Sequence, residues 1–181
     1  MFQDWENFYI LIGSASGALI GLLFVVVTLT SGLERDRALR AASLYMTPTV
    51  VMFATVLVIG ALATAPGIST WVQCCLIGAM APGGVAYGIS LIVGIRRMRS
   101  KAQHWSDVWC YGVLPTAAFA ALGVADALVL ISPRWAPYGV GAVMVAMLLT
   151  GIRNAWDLIT WMAPGPPPDA APDAPAGETK P

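Results

Sequence analysis

The sequence predicts an all-α, polytopic transmembrane bundle of five spans, and three observations carry that prediction. Hydrophobic residues make up 57% of the 181-residue chain and charged residues only 11%, against about 25% charge in soluble domains. Two long stretches, 7–33 and 41–95, hold no charge. Prolines and glycines divide the apolar runs into lengths near the roughly 20 residues that cross a bilayer core about 30 Å thick. Ten basic and ten acidic side chains give zero net charge. That balance excludes the strongly basic face of a nucleic-acid binder and would leave so apolar a soluble protein prone to precipitate.

The first span is expected near 8–30, behind an acidic, aromatic start at Asp4, Trp5 and Glu6 that lacks the basic leader of a secretory signal. The charge-free run 41–95 is far too long for one crossing at about 1.5 Å per residue, so it must reverse once. Ala65, Pro66 and Gly67 supply the reversal, since Pro cannot continue a helix and Gly accepts the turned backbone. Spans two and three are thereby placed near 48–65 and 70–95. The fourth is expected at 109–131, interrupted by Asp126; Ser132, Pro133 and Arg134 turn the chain; the fifth runs over 136–152 and continues as an interfacial helix to 162. Residues 163–181 hold seven of the thirteen prolines with Asp169, Asp173 and Glu178. Without an apolar face to bury, this stretch is expected to be a disordered Pro/Ala-rich cytoplasmic tail.

Basic residues in short loops are retained in the cytoplasm. Arg35, Arg37 and Arg40 follow span one, and Arg96, Arg97, Arg99 and Lys101 follow span three. These loops share a side if spans two and three form a hairpin, which predicts an outside N-terminus and a cytoplasmic C-terminus. Trp and Tyr favour the two interfaces: Trp5, Tyr9, Trp71, Trp135 and Tyr138 fall at expected outer ends, Tyr45, Trp105, Trp109, Tyr111, Trp156 and Trp161 at inner ends, and only Tyr87 lands mid-membrane. Eight arginines against two lysines, amid abundant Ala, Gly and Pro, suggest a bacterial source and hence the inner membrane.

Within the spans, Gly13, Gly17 and Gly21 recur every four residues and leave one helix stripe bare of side chains, with Ser14 on its border. Another helix can approach such a stripe closely, either within the chain or across a subunit interface. Pro82, Gly83 and Gly84 sit near the midplane of span three. Proline deletes a backbone donor and clashes with the preceding turn, so the expectation is a helix break, either a kink that fits neighbouring helices or the kind of interruption at which transporters bind ions. Asp126 lies about 7 to 8 Å inside the outer end of span four, where an unpaired carboxylate costs about 1 to 3 kcal/mol. Arg153 is too distant in depth to pair with it, by about 18 Å. Ser14, Ser16 and Gln73 lie at comparable outer depth, so Asp126 is expected to cluster with them as a polar or ion site, or else to be a satisfied structural carboxylate. Arg153 and Asp157, four residues apart, are expected to form a local ion pair at the inner interface. The cluster Arg96, Arg97, Arg99 and Lys101 can bind anionic lipid.

Signals for catalysis are poor. The sole histidine, His104, lies in a basic loop, so no His-rich metal site is expected, and no phosphate-cradling glycine loop occurs. Cys74 and Cys75 begin span three at the outside whereas Cys110 begins span four at the inside, too far apart for a disulfide. No catalytic residue, metal or cofactor is assigned, and the chain is read as non-enzymatic.

The opening Trp5 to Tyr9, followed by the stretch from Gly13 to Val25 and, at the other end, Gly151 to Asp157, resembles small bacterial multi-span membrane proteins, some of them labelled modulator of FtsH protease. That resemblance implies a membrane partner of a quality-control protease and assigns no residue to the contact. The expected role is an accessory or regulatory component of a membrane complex, in contact with the lipid bilayer and a homo-oligomer or membrane-protein partner. The alternative is an oligomeric ion channel or small transporter with Asp126 and the break at Pro82, Gly83 and Gly84 lining its path.

Overall fold

A computed structural model describes residues 3–30, 47–97 and 108–162, and among them there are helices and tight turns but no strand. After a single 3-10 turn at Gln3–Trp5, five long helices follow: α1 (Glu6–Thr30), α2 (Thr47–Thr64), α3 (Thr70–Arg97), α4 and α5 (Ala136–Met162). Helix α4 opens with a π-helical turn, Trp109–Val113, and continues as α-helix over Leu114–Ile131. Each of the five is long and apolar enough to cross a membrane. The fifth is one uninterrupted helix, so the expected span and interfacial extension are continuous.

Consecutive helices pack extensively on one another, with α2 and α3 the exception. Helix α1 packs mainly on α2, α3 mainly on α4, and α5 joins the two pairs by packing on α4, on α2 and, less extensively, on α1. Although α2 and α3 are joined by the Pro66–Gly67 turn, with Gly67 at φ 75°, they touch sparingly. The centre of the bundle is therefore α2 with α5, where Met52, Phe53, Val56 and Ile59 meet Val140, Met144, Met147 and Leu148. Residues such as Leu11, Phe24, Leu130 and, on α5, Leu149 turn outward, as lipid contact requires.

Lipid is as apolar as leucine, so close packing and interhelical hydrogen bonds, rather than burial from water, hold membrane helices together. The α1–α2 crossing shows how. Gly13 faces Gly60: a methyl group on Gly13 would stand 3.5 Å from the Gly60 Cα, and one on Gly60 would stand 2.9 Å from the Tyr9 carbonyl oxygen. Beside this crossing the Ser16 hydroxyl donates to the Phe53 carbonyl at 2.6 Å. The expected stripe is thus in contact unevenly, because Gly17 meets only the Leu57 side chain at ordinary distance and Gly21 faces open space.

Of the two forms expected for the break at Pro82, Gly83 and Gly84, the unwound interruption is not seen: α3 remains helical from Thr70 to Arg97 with Pro82 inside it, which is compatible with the kink. Neighbouring packing holds the segment helical: Gly84 is buried against the Phe119 ring of α4, while Pro82 and Gly83 face outward. Proline here removes one backbone donor without unwinding the helix.

Candidate functional site

The site of interest lies in the seam between α3 and α4. The two helices run antiparallel, and their contacts repeat at steps of three or four residues. Gly78 faces Asp126, Ala81 faces Gly123, Gly84 faces Phe119, Gly88 faces Thr116, and Ile92 faces Gly112. At each level a glycine or alanine on one helix receives a side chain from the other. A methyl group added at Gly88 would collide with the Thr116 hydroxyl, and one at Gly112 would stand 2.7 Å from the Ile92 side chain. This spacing is that of knobs into holes, with glycine making the holes deep.

Asp126 fills the outermost hole. A methyl group at Gly78 would stand 2.5 Å from its Oδ2, so the carboxyl rests on bare α3 backbone. One helical turn before Gly78, the buried Cys74 lies on the same face. Asp126 Oδ1 is fully buried and has no hydrogen-bond partner, the one such side-chain atom among the described residues. Pro82, four residues after Gly78, has no N–H to offer the Gly78 carbonyl. The Gly78 carbonyl thus lacks the i+4 donor that an uninterrupted α-helix would supply, in the residue that Asp126 Oδ2 faces.

The cluster expected around Asp126 does not form. Ser16 is spent on Phe53, and Gln73 donates from Nε2 to the Leu62 carbonyl at 2.9 Å, tying the start of α3 to the end of α2. Ser14 is exposed. For the two serines the reason is lateral: α1 packs on α2 and α5, whereas α4 packs on α3 and α5. Gln73 shares α3 with Gly78 but is spent on the end of α2 instead.

The end of the bundle where α4 begins holds a polar group that the sequence reading missed. Asn154 on α5 is fully buried; its Nδ2 donates to the Cys110 carbonyl at 2.9 Å, and the Tyr111 hydroxyl donates to the Asn154 carbonyl at 3.1 Å. These bonds clasp the π-helical turn against α5. An asparagine within an apolar run is costly unless paired, and that cost was the available signal. Next to it Arg153 Nη2 lies 3.2 Å from Asp157 Oδ2, both side chains being about half exposed. At the opposite end the Tyr9 hydroxyl donates to the Pro137 carbonyl at 2.9 Å, and the Trp5 ring meets Tyr138 edge-on at 4.4 Å.

No cluster of His, Cys, Asp and Glu suited to a metal occurs among the described residues, and Cys74, Cys75 and Cys110 are free thiols. Arg96 is exposed. The side chain of Arg97, together with Arg99, Lys101, His104 and the expected tail at 163–181, lies outside the described residues. The chain matches no family profile, no curated protein and no solved structure.

Proposed function

We propose that the chain is a non-enzymatic integral protein of a bacterial inner membrane, with its N-terminus outside and its C-terminus in the cytoplasm, serving as an accessory or regulatory component of a membrane complex. The observation that carries this reading is where the interior polar groups are spent. Tyr9, Ser16, Gln73, Tyr111 and Asn154 each donate to a main-chain carbonyl of another helix. They stitch the bundle together and leave an apolar exterior for lipid and membrane partners. The basic residues Arg96, Arg97, Arg99 and Lys101 then sit at the cytoplasmic face, where anionic lipid would bind them. The resemblance of the first span to modulators of FtsH protease suggests a quality-control protease as the partner.

A channel or small transporter built from several copies is the competing reading, and the unpartnered Asp126 oxygen is what favours it. Extraction of the full chain in mild detergent, with the mass and composition of the complex measured, separates the two. A stoichiometric hetero-complex, with no ion flux from the purified chain in liposomes, supports the accessory role. A homo-oligomer whose flux is lost in Asp126→Asn overturns it.

A further inference from the structure

We propose that Asp126 is a proton-binding site: a neutral carboxylic acid held in the α3–α4 seam against Gly78, whose proton is the ligand that the site takes. The assignment does not require that anything be transported, so it stands or falls separately from the accessory role.

The geometry leaves few other occupants. Oδ1 is fully buried without a hydrogen-bond partner, and Oδ2 faces the Gly78 main chain, which presents no side-chain donor. From α3 the titratable neighbour is Cys74. On α5, which packs against this level of α4 through Gly139 on Ala125, Tyr138 turns its ring to Trp5 and Trp135. Arg153 is engaged with Asp157 near the other end. Arg134 lies in the exposed turn beyond the end of α4 and makes no ion pair with Asp126, so no cation pairs with the carboxyl from a described element packed against it. A hard metal ion is equally unsuited, because such ions gather about six or more oxygen ligands and no metal-binding cluster surrounds Asp126.

A proton answers what a cation does not. It removes the charge from an apolar seam and turns one carboxyl oxygen into a donor. Pro82 supplies the complementary feature, since the Gly78 carbonyl it deprives of an N–H is an acceptor in the residue opposite. The proline and the aspartate, unrelated in sequence, thus belong to one site. Release of the proton leaves a carboxylate that the seam does not solvate.

The test uses the full chain in phosphatidylcholine liposomes and dicyclohexylcarbodiimide, an apolar reagent that enters bilayers and reacts with protonated carboxyls. The acid proton moves to one carbodiimide nitrogen and the carboxyl oxygen bonds to the central carbon. The acyl group then migrates to nitrogen, giving a stable N-acylurea by net addition, with no leaving group. Peptide mass mapping should find the adduct on Asp126, diminishing as pH is raised, absent in Asp126→Asn and unchanged in Asp157→Asn. Infrared spectra of the same samples should show a protonated-carboxyl stretch that Asp126→Asn removes, a readout that does not depend on reagent access. That band with or without the adduct supports the site. A folded chain with no band that Asp126→Asn removes overturns it.

Discussion

Gly83 and Gly84 stand side by side in α3, and the bundle should treat the same substitution at each in opposite ways. A methyl group on Gly83 meets nothing within 4 Å, whereas one on Gly84 would overlap the Phe119 ring. Ala is favoured over Gly in a helix by about 1 kcal/mol, and that gain applies to both positions, so it cancels in the comparison. What remains is the overpacking at Gly84. Phe119 is only 3% exposed and cannot swing into free space; either it leaves its rotamer or α3 and α4 separate. Such strain costs about 1 to 3 kcal/mol. Gly83→Ala should therefore match or exceed the parent in stability, while Gly84→Ala falls below Gly83→Ala by about 1 to 3 kcal/mol. Unfolding of the purified variants in mild detergent, followed by thermal scanning and by denaturant titration, measures that difference. Adding Phe119→Leu to Gly84→Ala should recover part of the loss, since the smaller side chain vacates the space. Equal stability of the two alanine variants would refute the seam as described, because no other feature distinguishes these adjacent glycines.

Three further outcomes follow from the same contacts. Gly60→Leu should disrupt the α1–α2 crossing, because even a methyl group there would stand 2.9 Å from the Tyr9 carbonyl oxygen; the loss should reach or exceed about 3 kcal/mol in detergent unfolding, whereas Gly21→Leu, facing open space, should leave the isolated chain nearly unchanged. Asn154→Ala leaves the Cys110 carbonyl without its donor and should cost about 1 to 2 kcal/mol, with faster amide exchange at 109–113 as the local signature. Asp157→Asn removes an ion pair whose side chains are 49% and 44% exposed; it should change stability by less than about 1 kcal/mol, and any change should shrink with added salt.

The helices and their bounds were legible in the sequence, and lateral position was not. Where the charges stop, where Pro66 and Gly67 interrupt an apolar run and where tryptophans gather all report distance along the membrane normal, and the helices fall where those signals put them. Which helix stands beside which is decided by surfaces. Asp126, Ser16 and Gln73 were placed at similar depth, yet Ser16 and Gln73 each spend their hydrogen bond on α2 while Asp126 lies on α3. The lateral signal was present in another form. Small residues recur in three- and four-residue steps through 78, 81, 84 and 88 of one span, and in the next Gly112, Thr116, Phe119, Gly123 and Asp126 follow at steps of the same two lengths. Only when the two series are run antiparallel does each side chain meet a gap. A lone stripe such as Gly13, Gly17 and Gly21 names no partner, and its outcome was correspondingly mixed. Two stripes with the same step name each other, and in this chain the partner they name for Asp126 is the glycine four residues before Pro82.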